Sequence, residues 1–240
     1  MNSYKKDANN QVVFSKDMKL IELIDADHHL LSVLIRLDIQ LPFGDVSVEE
    51  ICERYDLSTE AFLMICKVCS LSDYEPEIEG SDINHIKLLL SYLRSSHRYY
   101  LESLLPTIEH SVDKVLEGCL PRQSEILRKF YGDYAEEVRN HLAYEDMHIF
   151  PYVESLIKGE SATPSRMGDF MEEHTDICDK VDDIKSIIIK YLPEQCLTKD
   201  RSDLLYMLYD MRDDLTKHTL IELKILTPMV QALERRVCNE

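Results

Sequence analysis

Two short segments repeat one spacing of a histidine and a glutamate: His141-Leu-Ala-Tyr-Glu145 and His218-Thr-Leu-Ile-Glu222. On a helix, residues four apart share a face with Cβ atoms about 6 Å apart, so each pair can reach the same small ion or ion pair. Two further histidines, His97 and His174, interrupt apolar stripes elsewhere. The first stripe runs Ile86, Leu89, Leu90, Leu93, His97, Leu101, Leu104, Leu105, Ile108. The second is Ile126, Phe130, Tyr134, His141, Glu145, Ile149, Tyr152, Leu156, and the third Met167, Phe170, Met171, His174, Ile177, Val181, Ile184, Ile188. The fourth is Leu204, Leu208, Met211, Leu215, His218, Glu222, Ile225, Met229. Positions on an apolar stripe face a core. Burying two carboxylates without partners costs roughly several kcal/mol each. Something cationic must offset that, and neutral imidazoles supply no net charge. A single core histidine is more often a hydrogen-bonded structural residue; four coincident interruptions with two identical pairs point instead to bound metal.

Four imidazoles and two carboxylates exceed the four ligands of one tetrahedral zinc. They suit two metals bridged by both carboxylates, with two histidines on each. Nitrogen and oxygen donors without thiolate favour iron, manganese or zinc, and of these iron is the redox-competent choice. With an added oxo or hydroxo bridge each metal has about five ligands, which leaves a position for a diatomic molecule or for ligand loss. No separate acid–base pair stands out, so no catalytic residue is assigned.

The elements that must carry these residues are long helices. Apolar periodicity predicts helical segments over about 84–117, 122–158, 166–191 and 199–236, separated by turn chemistry at Gly118–Pro121, Gly159–Pro164 and Pro193. Short connections make antiparallel neighbours, so the expected fold is all-α, an up-down-up-down four-helix bundle. Pro106, Pro151 and Pro228 fall inside the segments and predict kinks or interruptions. Residues 73–83, with Pro76, Gly80 and a run of acids, read as a linker. The expected division is a small helical N-terminal domain with the linker start over 1–75 and the bundle over 76–240. In the small domain a helix ends near Asp38, a turn follows at Pro42–Gly44, and two short helices start at N-caps Ser47, with Glu50 completing a capping box, and Ser58. His28, His29, His85, His110 and His148 fall off the stripes and are expected to be surface or packing residues; Cys66 and Cys69 have no second pair at zinc spacing.

The 240 residues are 45% hydrophobic, enough for a substantial core, and carry a formal charge of −18. Such a surface repels phosphate backbones, which argues against nucleic acid. Val46 to Ser70 has room for a helix-turn-helix, but residues 1–75 hold 7 basic and 14 acidic side chains, a poor basis for phosphate contacts. No apolar run approaches the roughly 20 residues of a membrane span, and no secretory h-region is visible. Seven scattered cysteines fit reduced thiols and a cytoplasmic protein.

The tokens His141-x-x-x-Glu145 and His218-x-x-x-Glu222, each followed by an apolar residue and a proline (Phe150-Pro151, Thr227-Pro228 after Leu226), resemble the hemerythrin-like di-iron family. The resemblance covers about 84–236. Oxygen-carrying hemerythrins use a fifth histidine four residues after the third-helix histidine, and Cys178 stands there instead. The remaining set, with histidine intervals of 44, 33 and 44, is similar to the repair-of-iron-centres proteins, which mend iron–sulfur clusters damaged by nitric oxide or peroxide. That resemblance implies two oxo- or hydroxo-bridged irons held by His97, His141, His174 and His218 as terminal ligands and by Glu145 and Glu222 as bridges. It also implies a role for Glu137 and Glu173 in relaying protons or holding a departing iron. The small domain of that subgroup carries adjacent cysteines before a glycine; Leu41-Pro42-Phe43-Gly44 keeps only the glycine. The implied function is repair of iron–sulfur proteins, with nitric oxide or oxygen as the small ligand. An oxygen or nitric oxide sensor or carrier is the alternative.

Overall fold

A computed structural model describes residues 4–6, 12–78, 80, 82–117, 119–160, 175–193 and 198–238. His174, Glu173, Met167, Phe170, Met171, Gly118 and Pro164, all singled out above, lie outside these residues. The described elements are helical. The small module holds α1 (Leu20–Ala26), α2 (Leu30–Arg36), α3 (Val48–Arg54) and α4 (Thr59–Ser70). Then come α5 (Ile83–Tyr99), α6 (Leu105–Leu116), α7 (Pro121–Tyr144), α8 (Phe150–Ile157), α9 (Thr175–Tyr191), α10 (Thr198–Ile221) and α11 (Thr227–Cys238).

Both predicted caps are present. The Ser47 N–H donates to Glu50 Oε2 at 2.6 Å and the Glu50 N–H to Ser47 Oγ at 3.2 Å, so two otherwise orphaned donors are satisfied reciprocally. Ser58 Oγ accepts from the Ala61 N–H. Gly44 closes the loop before α3 at φ +79°, a conformation that an L side chain adopts only with strain. The helix expected to end near Asp38 is two helices, broken where Asp27 turns extended at φ −152°.

The three interior prolines do not end their segments. Instead a π-helical turn precedes each: Tyr100–Leu104, Glu145–Ile149 and Glu222–Leu226. In each turn the residue just before the proline donates five residues back, Leu105 to Tyr100, Phe150 to Glu145 and Thr227 to Glu222. Proline lacks an N–H, and its ring would crowd the carbonyl four residues back. One extra residue in the turn relieves that crowding and lets the helix continue. Such turns are common at functional sites, and two of the three begin on the candidate glutamates.

The chain groups into two compact units. One is Met1–Ser96 with Leu156–Ser161 and Leu220–Glu240; the other is His97–Ser155 with Ala162–Thr219. In the second unit, four helices share one apolar core: Ile108 and Val112 from α6, Leu127 and Val138 from α7, Val181 and Ile184 from α9, Leu208 and Met211 from α10. The fourth stripe is buried at every predicted position. The second is set differently at its start, since Ile126 and Phe130 are about half exposed while Leu127 and Tyr131 are buried. Steps of four overshoot a 3.6-residue turn by about 40°, so a stripe extrapolated backwards in fours rotates off the core.

Cys119 is disulfide-bonded, which departs from the expectation of thiols throughout. Cys52, Cys66, Cys69 and Cys178 are free. Burial pushes the Cys52 thiol up to about 11 and Cys66 well above its ordinary value, so both pack as small apolar groups. Among the described residues no helix is long and apolar enough to cross a membrane.

Candidate metal centre

His97 is contributed by α5, His141 by α7 and His218 by α10; Glu145 and Glu222 open the π turns that continue α7 and α10. His97 is 1% exposed, and both glutamates are fully buried. Within the second unit, one ligand atom from each of His97, Glu145 and His218 lies within 4.8 Å of the others. Within this group His97 Nε2 stands 3.1 Å from Glu145 Oε2 and 3.3 Å from His218 Nε2. His141 joins from the other side, its Nε2 3.0 Å from Glu145 Oε1. Five of the six predicted residues are thus described; His97, His141, Glu145 and His218 come together in the second unit, and Glu222 is fully buried one turn after His218. The sixth, His174, lies outside the described residues.

The orientation of His97 is fixed by a residue that the apolar stripes did not single out. Its Nδ1 is 3.1 Å from Asp146 Oδ1. An ionised carboxylate only accepts, so Nδ1 carries the proton and the Nε2 lone pair of the neutral ring points at the buried group. Histidines that bind metals are held in this way by a carboxylate on the far nitrogen. Asp146 lies off the stripe, and its one sequence signal was adjacency to Glu145. Phe150 stacks on the His97 ring at 5.2 Å, and Tyr100 meets His218 edge-on at 5.6 Å. The Tyr100 hydroxyl donates to the Asp214 carbonyl, which ties the π turn before α6 to α10.

The chemistry of this donor set suits a metal. Glu145 with the imidazoles of His97 and His218 carries a negative charge where water is excluded. The Nε2 lone pair of His97 faces a carboxylate oxygen of Glu145 at 3.1 Å, two acceptors that repel one another. A divalent cation among these donors satisfies the lone pairs and offsets the carboxylate charge. Donor separations of about 3 Å are those of neighbouring ligands on one ion at roughly 2.1 Å.

Cys178, in the place of the fifth histidine, has its Sγ 3.6 Å from Thr216 Oγ1. It lines a cavity of about 10 Å³ with His141, His218 and Thr219, room for roughly one water. Glu137 is engaged elsewhere, both its oxygens accepting from Lys180.

These features agree with comparisons to known proteins. Residues 88–230 match the hemerythrin HHE cation binding domain. Over 168 residues, 65% of this chain and 72% of the relative, the sequence is 23% identical to the iron-sulfur cluster repair protein ScdA of Staphylococcus haemolyticus (strain JCSC1435). With the domain matched over more than half its length, and a buried His/Glu cluster within that span, the chain belongs to the hemerythrin HHE cation-binding family, close to its repair proteins.

Proposed function

We propose that this chain is a non-haem di-iron protein that supports repair of iron–sulfur clusters damaged by nitrosative or oxidative stress. The observation that carries this reading is the placement of Glu145, whose two oxygens face imidazoles from two different helices, as a bridging carboxylate requires. Similarity to a repair protein supports the class of client. In this reading His97, His141, His174 and His218 are terminal ligands, Glu145 and Glu222 bridge, and an oxo or hydroxo group completes the pair. Residues 1–75 form a small docking domain without the redox thiols of its relatives, and 76–240 form the bundle. The partners are damaged iron–sulfur proteins in the cytoplasm.

When bound, the iron pair supplies electron transfer to nitric oxide or oxygen, or iron that can be given up. The protein's own contribution is positional. Asp146 keeps the His97 proton on Nδ1 and so keeps Nε2 available. Phe150 and Tyr100 wall two rings with aromatic surface and exclude water. Carboxylate ligands hold tightly when ionised and loosen when protonated, which gives a route to release that an all-histidine site lacks. The small cavity beside His141 and His218 favours a second reading, a nitric oxide or oxygen sensor or carrier.

Metal analysis of protein purified without added metal should give near two irons per chain, and a single zinc would end both readings. The protein should then reactivate a nitric-oxide-damaged iron–sulfur enzyme, with His141→Ala as control. Equal reactivation by the variant after it has lost its metal would overturn repair by iron donation; reversible oxygen binding without reactivation would favour the sensor or carrier.

A further inference from the structure

At the corner between α1 and α2, Asp27, His28 and His29 each place one ligand atom within 4.8 Å of the others. We propose that this corner is a second metal site, separate from the bundle centre, in which His28 and His29 hold one divalent first-row transition-metal ion and Asp27 positions His29.

Both oxygens of Asp27 are engaged. Its Oδ1 takes the backbone N–H of His29 at 3.0 Å and stands 2.9 Å from His29 Nδ1, while Oδ2 accepts from the Ser70 hydroxyl at 2.7 Å. The first contact is an Asx turn, which fixes the aspartate relative to the start of α2. The Ser70 contact anchors it to α4. With a carboxylate on Nδ1, the His29 proton is there and the Nε2 lone pair points away, the tautomer in which a carboxylate-backed histidine binds metal. His28 lies alongside, its ring centroid 4.1 Å from that of His29 at an interplanar angle of 36°. Residues adjacent on a regular helix point about 100° apart. The break at Asp27 places both rings on one exposed corner.

Two imidazoles with no thiolate prefer zinc, nickel or copper over manganese or iron at equal supply. Solvent completes the coordination, because the His29 side chain is 51% exposed. Such a site exchanges its ion readily, unlike the buried bundle centre. The formal charge of −18 favours cations near the surface.

The test is a titration of the full-length protein with zinc against a chromophoric chelator at neutral pH, after its resident metal has been measured. The parent should take up one zinc beyond the resident metal. The double variant His28→Ala, His29→Ala should lose that zinc and keep its resident metal and helical circular dichroism. Asp27→Asn should weaken it by about tenfold, the usual effect of losing a carboxylate behind a metal-binding histidine. His141→Ala, which targets the bundle, should retain the extra zinc. No extra zinc in the parent, undiminished uptake by the double variant, or loss in His141→Ala alone would each overturn the proposal.

Discussion

The Glu145 carboxylate stands between two imidazoles, with Oε2 3.1 Å from His97 Nε2 and Oε1 3.0 Å from His141 Nε2. Neither histidine needs to touch the other for the two to share an anion. A residue so placed serves two ions at once, or binds two helices around one charge. Glu145→Gln separates these uses, because it keeps the shape and removes the charge. Metal content should fall to half or less of the parent's, while helical circular dichroism is retained. Full metal content in the variant would remove Glu145 from the centre.

Asp146 acts on the centre through His97 rather than by contact with the buried group. Asp146→Asn should weaken metal retention by about 10- to 100-fold, measured by chelator competition, with little change in melting temperature of the metal-free protein. Unchanged retention would make the Asp146 contact a surface hydrogen bond and nothing more.

Leu208 is fully buried in the core shared by α6, α7, α9 and α10. Leu208→Ala removes apolar contacts and leaves a cavity, for a cost of about 2–5 kcal/mol in denaturant unfolding. A loss below 1 kcal/mol would mean that the four helices do not close around this position as described.

Asp182 accepts from Lys185 and Arg212, and these bonds hold its carboxyl below the ordinary value of 3.8. A carboxyl depressed by folding stabilises the folded state above its unfolded pKa, and that contribution is lost as pH falls through the folded value. Asp182 is 42% exposed, so solvent screening keeps the effect within about 1 kcal/mol. Asp182→Asn should therefore melt slightly below the parent at pH 7, and the gap should shrink below about pH 4. A gap that widens on acidification would contradict the sign of this linkage.

The fourth stripe, from Leu204 through His218 and Glu222 to Met229, was legible because its steps alternate between four and three and track the helical turn, so all its members are buried. The caps at Ser47 and Ser58 were legible for a related reason, since both are contacts within three residues. Ile126 and Phe130 were misplaced because uniform steps of four drift around the helix axis, and only packing reveals which neighbour takes the core. The prolines announced a local irregularity but not its form. A kink and a π turn both accommodate a missing N–H.

Spacing alone determined that this chain is helical and that buried histidines and glutamates share helix faces, because both are consequences of a 3.6-residue repeat within one segment. Tertiary structure decided what no single segment contains: that Glu145 faces His97 as well as its own His141, that Asp146 reaches that ring from behind, and that a broken helix gathers Asp27, His28 and His29 on one corner. Contacts between residues 49 positions apart depend on how helices meet, and side-chain identity fixes that only through the packing of the whole core.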